Sequence, residues 1–185
     1  MLFKKPLIGI DLDGVIAIEN NEKYLQAKYH DDEVKRVTWL YEYYHYLPPN
    51  KYLIDKLIEN KDKYDFRIYT ARRSDYKTIV DDTRKWLDKV RLDFVPVTHT
   101  RFAWKAPELL RDRVDVMIDN NWRMLRWVPF IPKLVYLQDS EAIADYLCEA
   151  PERLDKKFER VYTHMTNIRN TNLLFEDLKR ICYNR

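Results

Sequence analysis

The sequence predicts an α/β fold, one central parallel sheet with helices on both faces, from three observations. Short apolar runs suited to doubly buried strands recur along the chain, amphipathic helical patterns fall between them, and polar residues follow the runs directly. The runs are 7–10, 66–70, 94–97, 114–119 and 134–137. Their continuity, rather than alternation, is the mark of strands covered on both sides. Between them, Leu53, Ile54, Leu57 and Ile58 form one helical stripe; Tyr76, Ile79, Val80, Thr83, Leu87 and Val90 form another, with Ser74 or Asp75 as its expected cap. Pro107 suits the first turn of a third helix, and Ser140 suits the cap of a fourth reaching about Cys148.

Two segments break the alternation. Residues 15 to about 48 separate the first strand from the next helix and carry Trp39, Tyr41, Tyr43, Tyr44 and Tyr46 ahead of Pro48-Pro49, which reads as a small helical cap. Residues 151–185 follow the last sheet element. Val161, Met165, Ile168, Leu174, Leu178 and Ile181 at helical spacing predict a C-terminal extension of one or two helices. The expected organisation is therefore a core over 1–150 interrupted by the cap, then the extension.

Composition narrows the class. A chain of 185 residues, 46% hydrophobic, is long enough for one domain with a sizeable core. The apolar run at Pro6–Ile10 is too short for a signal peptide and ends in Asp11. No stretch approaches the roughly 20 apolar residues that span a bilayer, so a soluble, cytoplasmic protein with no membrane partner is expected. Cys148 and Cys182 show no metal-ligand or disulfide spacing. The net charge of +3 resides in residues 151–185, with eight Lys/Arg against five Asp/Glu, and the rest sums to zero. A general nucleic-acid surface on the core is thereby disfavoured, which leaves a local basic pocket there or contact through the basic tail. The tail is equally a candidate homodimer interface or a cover over one sheet edge.

In a parallel sheet, ligands bind beyond the carboxyl ends of the strands, so strand-terminal polar residues carry the chemistry. The first are Asp11-Leu12-Asp13-Gly14. Side chains two apart on an extended chain face the same way, and Gly14 lets the backbone turn off sharply. Two close carboxylates need a cation or a proton between them. Magnesium on Asp11 would keep it ionised as a nucleophile, while Asp13 donates a proton to a leaving oxygen. An EF-hand loop also begins Asp-x-Asp, but Val15 and Ile16 stand where it needs an oxygen ligand and a glycine. The plainer alternative is a strand-to-turn junction with two solvated acids.

Thr70, followed by Ala71-Arg72-Arg73, offers a hydroxyl and backbone amides to phosphoryl oxygens, or simply a helix cap. Lys105, just before a helix, would offset repulsion between a phosphate dianion and a carboxylate; Arg101 is its rival. Asp119 ends a buried run and suits a remaining protein ligand of magnesium, since burying it unpaired is costly.

These four pieces, in this order and each at a strand end, resemble the motifs of the haloacid dehalogenase superfamily of phosphohydrolases over roughly residues 7–138. The resemblance implies a three-layer Rossmann-like fold, an aspartyl-phosphate on Asp11, acid then base duty for Asp13, and magnesium held by Asp11, Asp119 and the Asp13 carbonyl. Thr70, Ala71 and Lys105 would bind the phosphate. Many members carry a second acid after the fourth motif, whereas this chain has Asn120, which can hold a metal-bound water but supplies less charge.

The substrate expected is a small phosphate ester. The aromatic insertion and an overall look similar to the small 5′(3′)-deoxyribonucleotidases favour a nucleoside monophosphate, with Trp39, Tyr43 or Tyr44 stacking on the base and Arg72 or Arg73 on phosphate or base carbonyls. The same aromatics also suit the packing of a small cap. A sugar phosphate or a nucleic-acid end is the alternative substrate. A non-catalytic module binding a phosphorylated ligand or a protein is the alternative of another class.

Overall fold

The structure is a computed structural model that describes residues 4–18, 31–32, 35, 38–39, 42, 44–72, 74–125, 127–128, 130–137, 159–163 and 168–183. Its strands are β1 (Leu7–Ile10), β2 (Asp65–Thr70), β3 (Val97–His99), β4 (Val116–Asp119), β5 (Lys133–Leu137) and β6 (Glu159–Thr163). The helices are α1 (Lys51–Asn60), α2 (Lys77–Lys89), α3 (Lys105–Arg111), α4 (Trp122–Leu125) and α5 (Ile168–Tyr183). The strands lie in the order β3-β2-β1-β4-β5-β6, and every pairing is parallel.

Alternation along the strands sends apolar side chains to two separate cores. Ile8, Ile10, Phe66, Ile68, Val116, Ile118, Leu134 and Tyr136 pack with Leu53 and Leu57 of α1, Trp86 and Leu87 of α2, and Leu174 and Leu178 of α5. Tyr69, Met117 and Val135 pack with Leu109 of α3 and with Met124 and Leu125 of α4. Helices thus cover both faces, a three-layer α/β arrangement of the Rossmann-like class. No helix among the described residues is long and apolar enough to cross a membrane.

The chain leaves β1 toward β2 on one side and returns to β4 on the other, so the strand order reverses between β1 and β4. Ile10 pairs with Ile118, and Asp11 N–H donates to the Ile118 carbonyl at 2.8 Å. That ladder brings Asp11 level with Asp119 at the crevice where open parallel sheets bind ligands.

Four sequence expectations are corrected. Strand β3 begins at Val97 rather than Phe94: Pro96 has no N–H to donate, and its carbonyl only accepts from Ile68 N at 2.9 Å. The cap of α2 is Tyr76, whose carbonyl takes the first helical bonds from Ile79 and Val80, so Ser74 and Asp75 stand too early to cap. Val15, Ile16 and Ala17 are fully buried in the body, and the inserted segment starts only after Ile18, whose N–H meets the Pro48 carbonyl at 2.8 Å. The C-terminal extension is not wholly helical. Glu159–Thr163, with its β-favouring Val, Tyr and Thr, adds a strand beside β5 before α5 begins.

Candidate active site

Site construction begins with Gly14, at φ 79°, a left-handed conformation glycine tolerates. It lets the chain coil back so that Ile16 and Ala17 N–H donate to the Leu12 carbonyl at 3.0 and 2.8 Å. Asn50 locks this turn from α1: its Nδ2 donates to the Val15 carbonyl at 3.2 Å while its Oδ1 accepts from Leu53 N at 3.3 Å. The loop bearing Asp11 and Asp13 is therefore fixed from both sides.

Lys105 opens α3 and is 3% exposed. Its ammonium lies 2.8 Å from Asp11 Oδ1 and 2.7 Å from Asp119 Oδ2. Arg101, the rival, is exposed and makes no such contact. Asp119 is fully buried, and its second oxygen accepts from Asn121 N at 2.7 Å. Among the described residues nothing donates to Asp11 Oδ2. Burial pushes the Asp11 carboxyl up to about 7, the Asp119 charge adding to the rise and Lys105 opposing it. Burial alone would lower Lys105, but the two carboxylates outweigh it and carry the ammonium above the ordinary lysine range.

This donor set suits a hard divalent cation. It consists of carboxylate oxygens at the ends of β1 and β4, one of them uncommitted, in a place where negative charge is in excess. Among the described residues no three His, Cys, Asp or Glu side chains gather as a ready-made metal group. A divalent ion here would draw on Asp11 and Asp119 and complete its shell with backbone oxygen and water. No protein-family model matches the chain, and no curated protein matches it.

The remaining sequence candidates divide. Thr70 is buried at the end of β2, where its Oγ1 accepts from Arg72 N at 3.2 Å. Ala71 is exposed beside it and lines, with Arg72, Ser74, Asp75, Thr100 and Arg101, a cleft of about 280 Å³. Arg72, expected on the substrate, pairs with Asp13: Nη2 donates to Oδ1 at 2.6 Å and Nε to Oδ2 at 2.9 Å. Tyr44, expected to stack on a base, lies with its ring centroid 4.4 Å from the Arg72 guanidinium. Trp39 is 42% exposed on the inserted segment, and Asn120 is half-buried next to Asp119. Tyr43 and Arg73 lie outside the described residues, as does the helix expected over 140–148. His99 Nδ1 lies 3.3 Å from the Arg72 carbonyl, and burial holds its imidazole below the ordinary histidine value.

Sequence reasoning missed Asn50 and Thr83. Thr83 was read as part of an apolar stripe, yet a hydroxyl in that stripe was itself a sign of a buried polar partner. Asn50 follows Pro48-Pro49 at a helix start, where an asparagine cap was legible.

Proposed function

We propose that this chain is a magnesium-dependent phosphomonoester hydrolase of the haloacid dehalogenase type, working through an aspartyl-phosphate on Asp11. The observation that carries the reading is the Lys105 ammonium bridging Asp11 Oδ1 and Asp119 Oδ2 at the strand-order reversal, with no donor to Asp11 Oδ2 among the described residues. A buried carboxylate with one unengaged oxygen is a nucleophile in waiting, and the lysine beside it offsets its repulsion from a phosphate dianion.

In the first step Asp11 Oδ2 attacks phosphorus, the ester P–O bond breaks, and Asp13 gives its proton to the departing oxygen. Water then attacks the acyl phosphate, Asp13 takes a proton from it, and the P–O bond to Asp11 breaks to release inorganic phosphate. Magnesium held by Asp11 and Asp119 would neutralise the charge that the carboxylates and phosphate bring together. Thr70 and the amide of Ala71 are the phosphate-oxygen contacts of this scheme, and Asn120 would lie in the outer shell of the ion. The cleft lined by Ala71, Arg72, Ser74, Asp75, Thr100 and Arg101 offers polar and apolar surface in about equal measure, which suits a leaving group such as the nucleoside of a nucleoside monophosphate.

The test is phosphate release from nucleoside monophosphates, sugar phosphates and 3′-phosphorylated oligonucleotides, with and without magnesium. Hydrolysis should require the ion, fall by at least about a thousandfold in Asp11→Asn, and be fastest on mononucleotides. Activity that survives Asp11→Asn would defeat the mechanism. A preference for another ester would defeat only the substrate assignment.

A further inference from the structure

The Arg72 guanidinium is engaged by Asp13 on one side and Thr83 on the other. The residue is 2% exposed at the end of β2. Nε reaches both Asp13 oxygens, at 2.9 Å to Oδ2 and 3.1 Å to Oδ1, and Nη2 reaches Oδ1 at 2.6 Å. Nη1 donates to Thr83 Oγ1 at 3.0 Å, and that hydroxyl is itself anchored to the Ile79 carbonyl at 2.7 Å. The Tyr44 ring covers the guanidinium, and the Arg72 main chain is tied to Thr70 Oγ1 and His99 Nδ1.

We propose that Arg72 is the positioning residue for Asp13, with Thr83 and Tyr44 holding its guanidinium in place. The inference rests on the hydrolase reading, since it concerns the group that moves the proton there. Asp13 sits on the turn at Gly14, past the end of β1, where sheet pairing no longer fixes a side chain. A planar two-pronged donor fixes both the position and the plane of a carboxylate, which a lysine cannot do. The fork is asymmetric. Oδ1 receives two N–H groups and Oδ2 one, so Oδ2 keeps the freer lone pair. Thr83 fixes the far end of the guanidinium from α2. Tyr44 closes the remaining face from the inserted segment, in a cation–π contact strengthened by burial.

Esters with different leaving groups test this, because an activated phenolate departs without a proton while an alkoxide does not. In Arg72→Ala and Arg72→Lys, kcat on an alkyl phosphate should fall about a hundredfold, with KM within about threefold. On p-nitrophenyl phosphate the same variants should retain a burst of one p-nitrophenolate per enzyme, followed by slow turnover, because only decay of the phosphoenzyme then needs Asp13. Arg72→Ala should add nothing on an Asp13→Asn background. Thr83→Val and Tyr44→Leu should shift the alkyl-to-aryl rate ratio the same way by about threefold to tenfold, and they decide the matter if the arginine variants do not fold. Loss of the p-nitrophenolate burst, a large rise in KM, or a full additional loss on Asp13→Asn would overturn the proposal. Asp11→Asn is the separate control: its retained activity would remove the hydrolase reading, whereas an inactive Asp11→Asn beside unaltered Arg72 variants removes only the positioning role.

Discussion

Lys105 is held in place by two carboxylates and holds them in turn, and the consequence of its loss can be worked out. Lys105→Met keeps the stem but leaves Asp11 and Asp119 buried without their shared cation. Breaking a buried pair from one side costs about 3–5 kcal/mol. The sign of the pH dependence follows from Asp11, whose carboxyl stands near 7 even with the lysine present. A carboxyl raised on folding contributes stability that is complete below its unfolded value and lost as pH rises through the folded one. Without Lys105 that value rises further. Chemical denaturation in chelator should therefore show Lys105→Met less stable than the parent, with the deficit growing from pH 5 to pH 8 and shrinking on adding magnesium. A deficit that is flat with pH would mean that the lysine acts through packing alone. Asp11, Asp13, Lys105 and Asp119 were legible in the sequence because each abuts a strand or helix end, where position follows from the chain itself. The Arg72 fork was not, because it joins residues 59 positions apart whose meeting depends on β2 lying beside β1.

At the scale of elements, the site depends on how closely α3 approaches β1. Gly9 faces that helix, and a methyl group there would lie 2.8 Å from Met117 Sδ, 3.1 Å from Val114 Cγ1 and 3.2 Å from Leu109 Cδ2. Leu109 belongs to the helix that Lys105 opens, so relief of the crowding by moving α3 would carry the ammonium with it. Gly9→Ala should lower stability by about 1–3 kcal/mol, or about 3–10 °C in Tm, and reduce phosphate release as well. Thermal melts together with activity assays check this; an unchanged Tm would mean that Met117 swings aside freely. Strand interiors and the stripe of α1 were readable because burial on both sides leaves an unbroken apolar run, and one-sided burial leaves a 3.6-residue period. Element ends were less so. Pro96 and Tyr76 define the starts of β3 and α2 by which backbone groups find partners, and composition does not reveal that.

For the molecule as a whole, the open question from sequence was whether the tail is an appendage, a dimer surface or part of the body. Helical spacing gave α5 but not β6, because Glu159–Thr163 is too short for its period to be told from a helix turn and gains its identity only by pairing with β5. The structure spends the apolar face of α5 internally. Leu174 and Leu178 are fully buried in the same core as Leu53 and Leu57 of α1. Two contacts pin the helix at its ends: Thr171 Oγ1 lies 3.2 Å from the Tyr136 hydroxyl of β5, and the Tyr183 hydroxyl donates to the Lys63 carbonyl at 2.7 Å. An element joined this way should unfold with the sheet and not before it. Leu178→Ala should lower the free energy of unfolding by about 2–5 kcal/mol while keeping one cooperative transition, monitored by far-UV dichroism and tryptophan fluorescence together. A dispensable tail would give an unshifted midpoint. A separately folding one would give two transitions. Coincident transitions at a lowered midpoint would place α5 within the folding unit that carries Asp11 and Asp119.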